Sequence, residues 1–173
     1  MRYFALVFFL TSFWLGLRFV FSGATTPPDL PTLRVAVSDL LPGAHKIIDW
    51  EGRPVLIMRR DARMQSSVDD LDPALLHDPA SADSVQPKTA LAVWRSRDPA
   101  WFVAIAVGTD LGCPVRVAEP AELPAGLAAG LRDTCRGAFY DLAGRVLDGQ
   151  QADENLTVPS YRLDGDVLVL GAD

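Results

Sequence analysis

Short apolar bursts, either alternating with polar residues or running together, recur along this chain, and they are rich in β-branched and aromatic side chains, which favours strands over helices. Four such stretches, at 33–37, 46–50, 55–59 and 101–107, are predicted as strands. The carboxyl end gives the sharpest local signal, a hairpin over 161–170 around Asp164-Gly165, a pair that tolerates the positive φ of a type I′ turn. An all-β domain is expected. The exception is Asp72-Pro73-Ala74-Leu75-Leu76, a short helix with a capping aspartate and a proline in its first turn. It lies in an acidic stretch, 61–83, that reads as an otherwise irregular, solvated loop.

The amino-terminal segment has a different pattern. From Tyr3 to Leu17 there is no charge, and after Arg18 comes a further apolar triplet, Phe19-Val20-Phe21. A spanning helix of about 20 residues forms if Arg18 snorkels to the interface. The division expected is an anchor at 1–23, a proline-rich tether at 24–32 and a domain at 33–173. A cleaved signal peptide is the rival reading, since Ser22-Gly23-Ala24 supplies small residues at a cleavage position. Arg2, the single positive charge before the apolar run, places that end in the cytoplasm and the domain outside.

With 173 residues and 49% hydrophobic composition, the chain has material for one cored domain beyond that segment. A net charge of -6 without a Lys/Arg cluster argues against nucleic acid as a partner. Catalytic motifs are missing as well: no H-E-x-x-H, no phosphate-binding glycine loop, no nucleophile elbow. His45 and His77, the only histidines, read as surface or turn residues, and Trp14, Trp50, Trp94 and Trp101 as membrane, core or interface packing.

Two runs carry more information. Gly108-Thr109-Asp110-Leu111-Gly112-Cys113 resembles the first cluster box of Rieske proteins, C-T-H-L-G-C, and Asp133-Thr134-Cys135-Arg136-Gly137-Ala138 resembles the second, C-P-C-H-G-S. The resemblance is to the Rieske iron-sulfur subunit of bacterial cytochrome bc complexes, and it extends through nearly the whole chain. Val35-Ala36-Val37-Ser38-Asp39-Leu40 and Trp50-Glu51-Gly52-Arg53-Pro54-Val55 are similar to the family's opening strands. Phe139-Tyr140-Asp141-Leu142 and Asn155-Leu156-Thr157-Val158-Pro159 are similar to its closing ones. The resemblance implies a Rieske-like antiparallel β-sandwich with an amino-terminal transmembrane helix, one short helix in a long loop, and a cluster-binding-type subdomain at about 106–154.

It also implies a departure at the cofactor. A Rieske centre takes two cysteine thiolates on one iron and two histidine imidazoles on the other. The four ligand positions here are Gly108, Asp110, Asp133 and Arg136, so no cluster, other cofactor or metal is expected. The proline loop that covers the cluster in the family is matched by Gly149-Gln150-Gln151-Ala152-Asp153, which has lost both prolines and should be more polar and less stiff. The family's hydrogen-bonding serine is Ala138, whereas its tyrosine is kept as Tyr140. The resemblance further implies a disulfide between Cys113 and Cys135, which an extracytoplasmic compartment permits. If the loops keep the family's path, Asp110, Asp133 and Arg136 converge, and Arg136 is expected to pair with an aspartate as a plug. Calcium held by the two aspartates is the competing arrangement.

The function expected is that of a non-catalytic, cluster-free subunit or assembly factor of a membrane respiratory complex, with a cytochrome b type partner. It would be a single-pass protein of the bacterial inner membrane with its domain on the periplasmic side. The alternative is an extracytoplasmic thiol-disulfide protein using Cys113 and Cys135, in which Arg136 stabilises a thiolate.

Overall fold

The computed structural model describes residues 31–90 and 93–172; the anchor expected at 1–23 and most of the tether lie outside them. Among the described residues no helix is long and apolar enough to cross a membrane. The described chain is all-β with antiparallel pairing throughout. Its strands are β1 (Leu33–Ala36), β2 (His45–Trp50), β3 (Arg53–Arg59), β4 (Trp101–Ile105), β5 (Val115–Val117), β6 (Leu131–Asp133), β7 (Phe139–Tyr140), β8 (Tyr161–Asp164) and β9 (Val167–Leu170). They form three three-stranded sheets, β1-β9-β8, β2-β3-β4 and β5-β6-β7.

The strand β3 lies at the centre of the core. Val55, Leu56, Ile57 and Met58 are each at most 1% exposed. Successive strand residues point to opposite faces, so β3 is covered on both. Phe102, Val103 and Ala104 of β4 are equally buried beside it. Each of these side chains larger than alanine contributes about 1.5–3 kcal/mol on burial.

Both hairpin turns follow from their glycines. At the β2–β3 connection Glu51 and Gly52 have φ of 52° and 78°, the paired positive values of a type I′ turn. The carboxyl-terminal hairpin forms as expected, but its two loop residues are Gly165 and Asp166, and only Gly165 has positive φ. That is the glycine-first pattern of type II′, so the type I′ expectation is corrected.

The long acidic stretch is more ordered than the sequence pattern predicts. The helix α1 (Ala62–Asp69) begins where the Asp61 carboxylate accepts from Met64 N at 2.8 Å. It buries only Val68, so it has no apolar stripe to betray it. The short helix expected next is a single 3-10 turn, Pro73–Leu75, with Asp72 Oδ1 accepting from Ala74 N at 2.9 Å.

Buried polar side chains tie the whole connection between β3 and β4 to the body. Arg60, 1% exposed, donates to the carbonyls of Leu142, Pro99 and Trp94 and lies over the Trp94 and Phe102 rings. Desolvation brings its pKa down to about 10. Arg95 does the same for the Val85 and Gly144 carbonyls and the Gln86 side chain. Asn155 accepts from Val146 N and donates to Asp78 O and Ser81 Oγ. Such groups are tolerated inside because backbone carbonyls satisfy them.

Candidate functional site

The two loops that follow β4 and β6 are closed by their own backbones. In the first, Gly108 N donates to Cys113 O at 2.7 Å, and a bridge between Val107 and Pro114 seals the base. This bridge takes up the end of the strand expected to continue to 107. In the second, Asp133 N donates to Ala138 O at 2.8 Å, and Gly137 supplies the turn with φ of 77°. Thr134 N and its hydroxyl both donate to Pro114 O, joining the loops at their bases.

A covalent bond joins them at the tip. Cys113 and Cys135 form a disulfide with Cα atoms 5.9 Å apart. Beside it, Asp110 Oδ2 lies 3.5 Å from Arg136 Nε, both side chains partly exposed. The expected ion pair of Arg136 with an aspartate therefore forms through Asp110. Asp133 takes no part in that ion pair: its Oδ1 accepts from the backbone N–H groups of Cys135 and Arg136 at 2.7 and 2.8 Å. It is 1% exposed.

A third segment completes the site. Thr109 Oγ1 donates to Glu154 O at 2.7 Å, and Gln150 Oε1 accepts from Phe139 N at 3.4 Å. Gln151, Asp153 and Glu154 face solvent while Ala152 is buried. Tyr140 points its hydroxyl to within 3.4 Å of Thr109 N and Oγ1. Burial pushes that hydroxyl's pKa up, and the Asp133 and Asp110 charges add to the shift against the two Thr109 contacts. It stays protonated and serves as a hydrogen-bonding group.

The histidines belong elsewhere. His45 starts β2 opposite Met58, and His77 pairs with Asp148 at 3.2 Å on the surface. Sequence reasoning missed the second attachment of this site, Arg116 and Arg132 clamping Glu122 over β5 and β6. The local trace is slight: Glu122 stands three residues after Glu119 and its Oε2 accepts from Glu119 N at 2.9 Å, one half of a capping box.

No model of a protein family matches the chain. Individual relatives do. The chain is 32% identical over 141 residues to the ubiquinol-cytochrome c reductase iron-sulfur subunit of Rhodospirillum rubrum, covering 82% of this chain and 70% of that one. The chain belongs to the Rieske iron-sulfur subunit family. The subunit of the same name from Allochromatium vinosum is 34% identical over 78% of this chain and 66% of its own length. The mitochondrial Rieske subunit of the cytochrome b-c1 complex of Saccharomyces cerevisiae is 32% identical over 75% and 52%. The chain thus spans about half to two thirds of the length of most of these Rieske relatives. Among solved structures, a chain of a hyperthermophilic respiratory Complex III aligns over 95% of this chain and 93% of its own. At a TM-score of 0.49 and 17% identity, that likeness is too loose to add to the sequence relation.

The residues at the Rieske ligand positions do not fit a cluster. Gly108 has no donor atom, and Arg136 is a cation paired with Asp110. Asp133 has one carboxylate oxygen committed to two backbone donors. The one grouping of three metal-ligating types among the described residues, Cys113, Asp133 and Cys135, has both sulfurs bonded to each other. A hard cation fares no better, since Asp110 stands outside that grouping and calcium wants six or more oxygens.

Proposed function

We propose that this chain is a cluster-free, non-catalytic Rieske-family subunit or assembly factor of a membrane respiratory complex of cytochrome bc type. In this reading it is anchored by 1–23 in a bacterial inner membrane, holds its domain on the periplasmic side, and has a cytochrome b type protein as its partner. The observation that carries the proposal is the state of the two loops: the fold and the Cys113–Cys135 disulfide are those the resemblance implies, while all four ligand positions hold groups engaged elsewhere or no side chain at all. Selection for electron transfer would preserve the ligands first. Selection for shape would preserve what is kept here.

The loops also retain a contact feature. Leu111, 62% exposed at the tip of the first loop, offers an apolar side chain to a protein surface. Purifying the protein from its native membranes in mild detergent and identifying its companions tests the reading. Cytochrome subunits in stoichiometric amount support it, and recovery of the chain alone or with thiol oxidoreductases contradicts it.

One observation favours the thiol reading: Cys135 is exposed, so an attacking thiolate can reach it. Two others weigh against it. The Asp133 carboxylate lies within 4.8 Å of both sulfurs and disfavours a thiolate there, and Arg136 faces Asp110. Trapping a mixed disulfide with a Cys113→Ser variant separates the two readings.

A further inference from the structure

Gly108 is glycine for lack of space. It has no positive φ, unlike Gly112 and Gly137 in the same two loops. A Cβ built on Gly108 would instead fall inside contact distance of Asp133 Oδ2, 3.3 Å from Asp133 Cγ and 3.6 Å from the Cys113 carbonyl oxygen. The carboxylate is not free to swing aside. Its Oδ1 holds the Cys135 and Arg136 N–H groups, and moving Oδ2 away breaks that turn.

We infer that Gly108 and Asp133 form one coupled replacement for the metal centre. Asp133 is the positioning residue: with one oxygen it closes the second loop on itself, and with the other it fills the place where a side chain of the first loop would project. The arrangement that a cluster would impose by binding both loops is here imposed by a carboxylate, so the chain reaches its folded loop geometry with no loading step. This rests on the cluster-free reading and gives it a mechanism. A reversion confined to the first loop is blocked, because a cysteine at 108 meets Asp133 before it meets any metal.

A double-mutant cycle on the 173-residue chain in detergent, disulfide intact, tests the coupling by thermal melting. The variants are Gly108→Ala, Asp133→Ser and both together. Serine keeps an oxygen able to accept from the turn's N–H groups while removing the atom that faces Gly108. Gly108→Ala should lower the melting midpoint by about 3 °C or more in the parent and by less than half as much in the Asp133→Ser background. Equal shifts in both backgrounds, or no shift in the parent, overturn the inference. A second measurement stands if Asp133→Ser does not fold: the unmodified chain, unfolded in guanidinium and refolded with a strong chelator present, should recover its original midpoint. A requirement for iron in that refolding also overturns it. Failure of the cycle alone removes the coupling and leaves the cluster-free reading intact, whereas iron bound to the native protein removes the reading itself.

Discussion

Asp110 and Arg136, at the two positions where the family places histidine ligands, face each other across the loops with Asp110 Oδ2 3.5 Å from Arg136 Nε. The Arg136 side chain is 40% exposed, so solvent screens the pair and its contribution is small, below about 1 kcal/mol. Arg136→Gln and Asp110→Asn should each change the unfolding free energy by less than that amount in urea titrations. A much larger loss would mean that the pair, rather than the disulfide and Asp133, holds the loops.

The disulfide should dominate. Cys113 and Cys135 are 22 residues apart, and closing a loop of that size restricts the unfolded chain by roughly 3 kcal/mol in the chain-entropy treatment. A Cys113→Ser/Cys135→Ser variant is expected to lose about that much in urea titration while keeping the far-ultraviolet circular dichroism of the parent. Loss of the β signal would show that the bond is required for the fold.

Glu122, in the turn between β5 and β6, gives the domain an acid sensitivity. Bidentate bonds from Arg116, a backbone bond from Glu119 N and contact with Arg132 bring its pKa from 4.5 to about 2. A carboxyl whose folded pKa is lowered contributes stability that is fully present above its unfolded value and lost as pH falls through the folded one. The melting midpoint should therefore decline between about pH 4.5 and 2, and Glu122→Gln should flatten that decline. Added salt should weaken the effect, because the arginine partners are partly exposed. An unchanged acid limb in Glu122→Gln would contradict the assignment.

Asp141 and Arg145 are a different kind of pair. They are 1% and 4% exposed, their closest atoms lie 2.6 Å apart, and Arg145 also donates to the Val68 carbonyl near the end of α1. Removing one partner of a buried pair leaves the other charge uncompensated, at a cost of about 3–5 kcal/mol. Arg145→Met should fall in that range by denaturant titration. A loss under about 1 kcal/mol would show that the Ala143 and Arg145 backbone N–H groups, which donate to Asp141 Oδ1, satisfy Asp141 alone.

The parts of this structure legible in the sequence were those written locally. The β-branched run through Val55 and Ile57 marked β3, and the motif runs around Cys113 and Cys135 marked both loops. The helix α1 was hidden because a mostly exposed helix needs no apolar face, only the Asp61 cap. Nothing local marks Arg60 and Arg95 as buried, since their burial depends on carbonyls supplied from distant segments such as Leu142 and Gly144. The Gly108–Asp133 contact was illegible for the same reason. Each residue looks like a bare loss until the fold brings the two loops together.

The most direct test of the central claim is the iron and acid-labile sulfide content of the protein purified from cells with active cluster assembly, with electron paramagnetic resonance of the dithionite-reduced sample. The account predicts neither element in stoichiometric amount and no cluster signal in a folded, disulfide-bonded protein. Two irons and two sulfides per chain, with a signal from the reduced cluster, would contradict it.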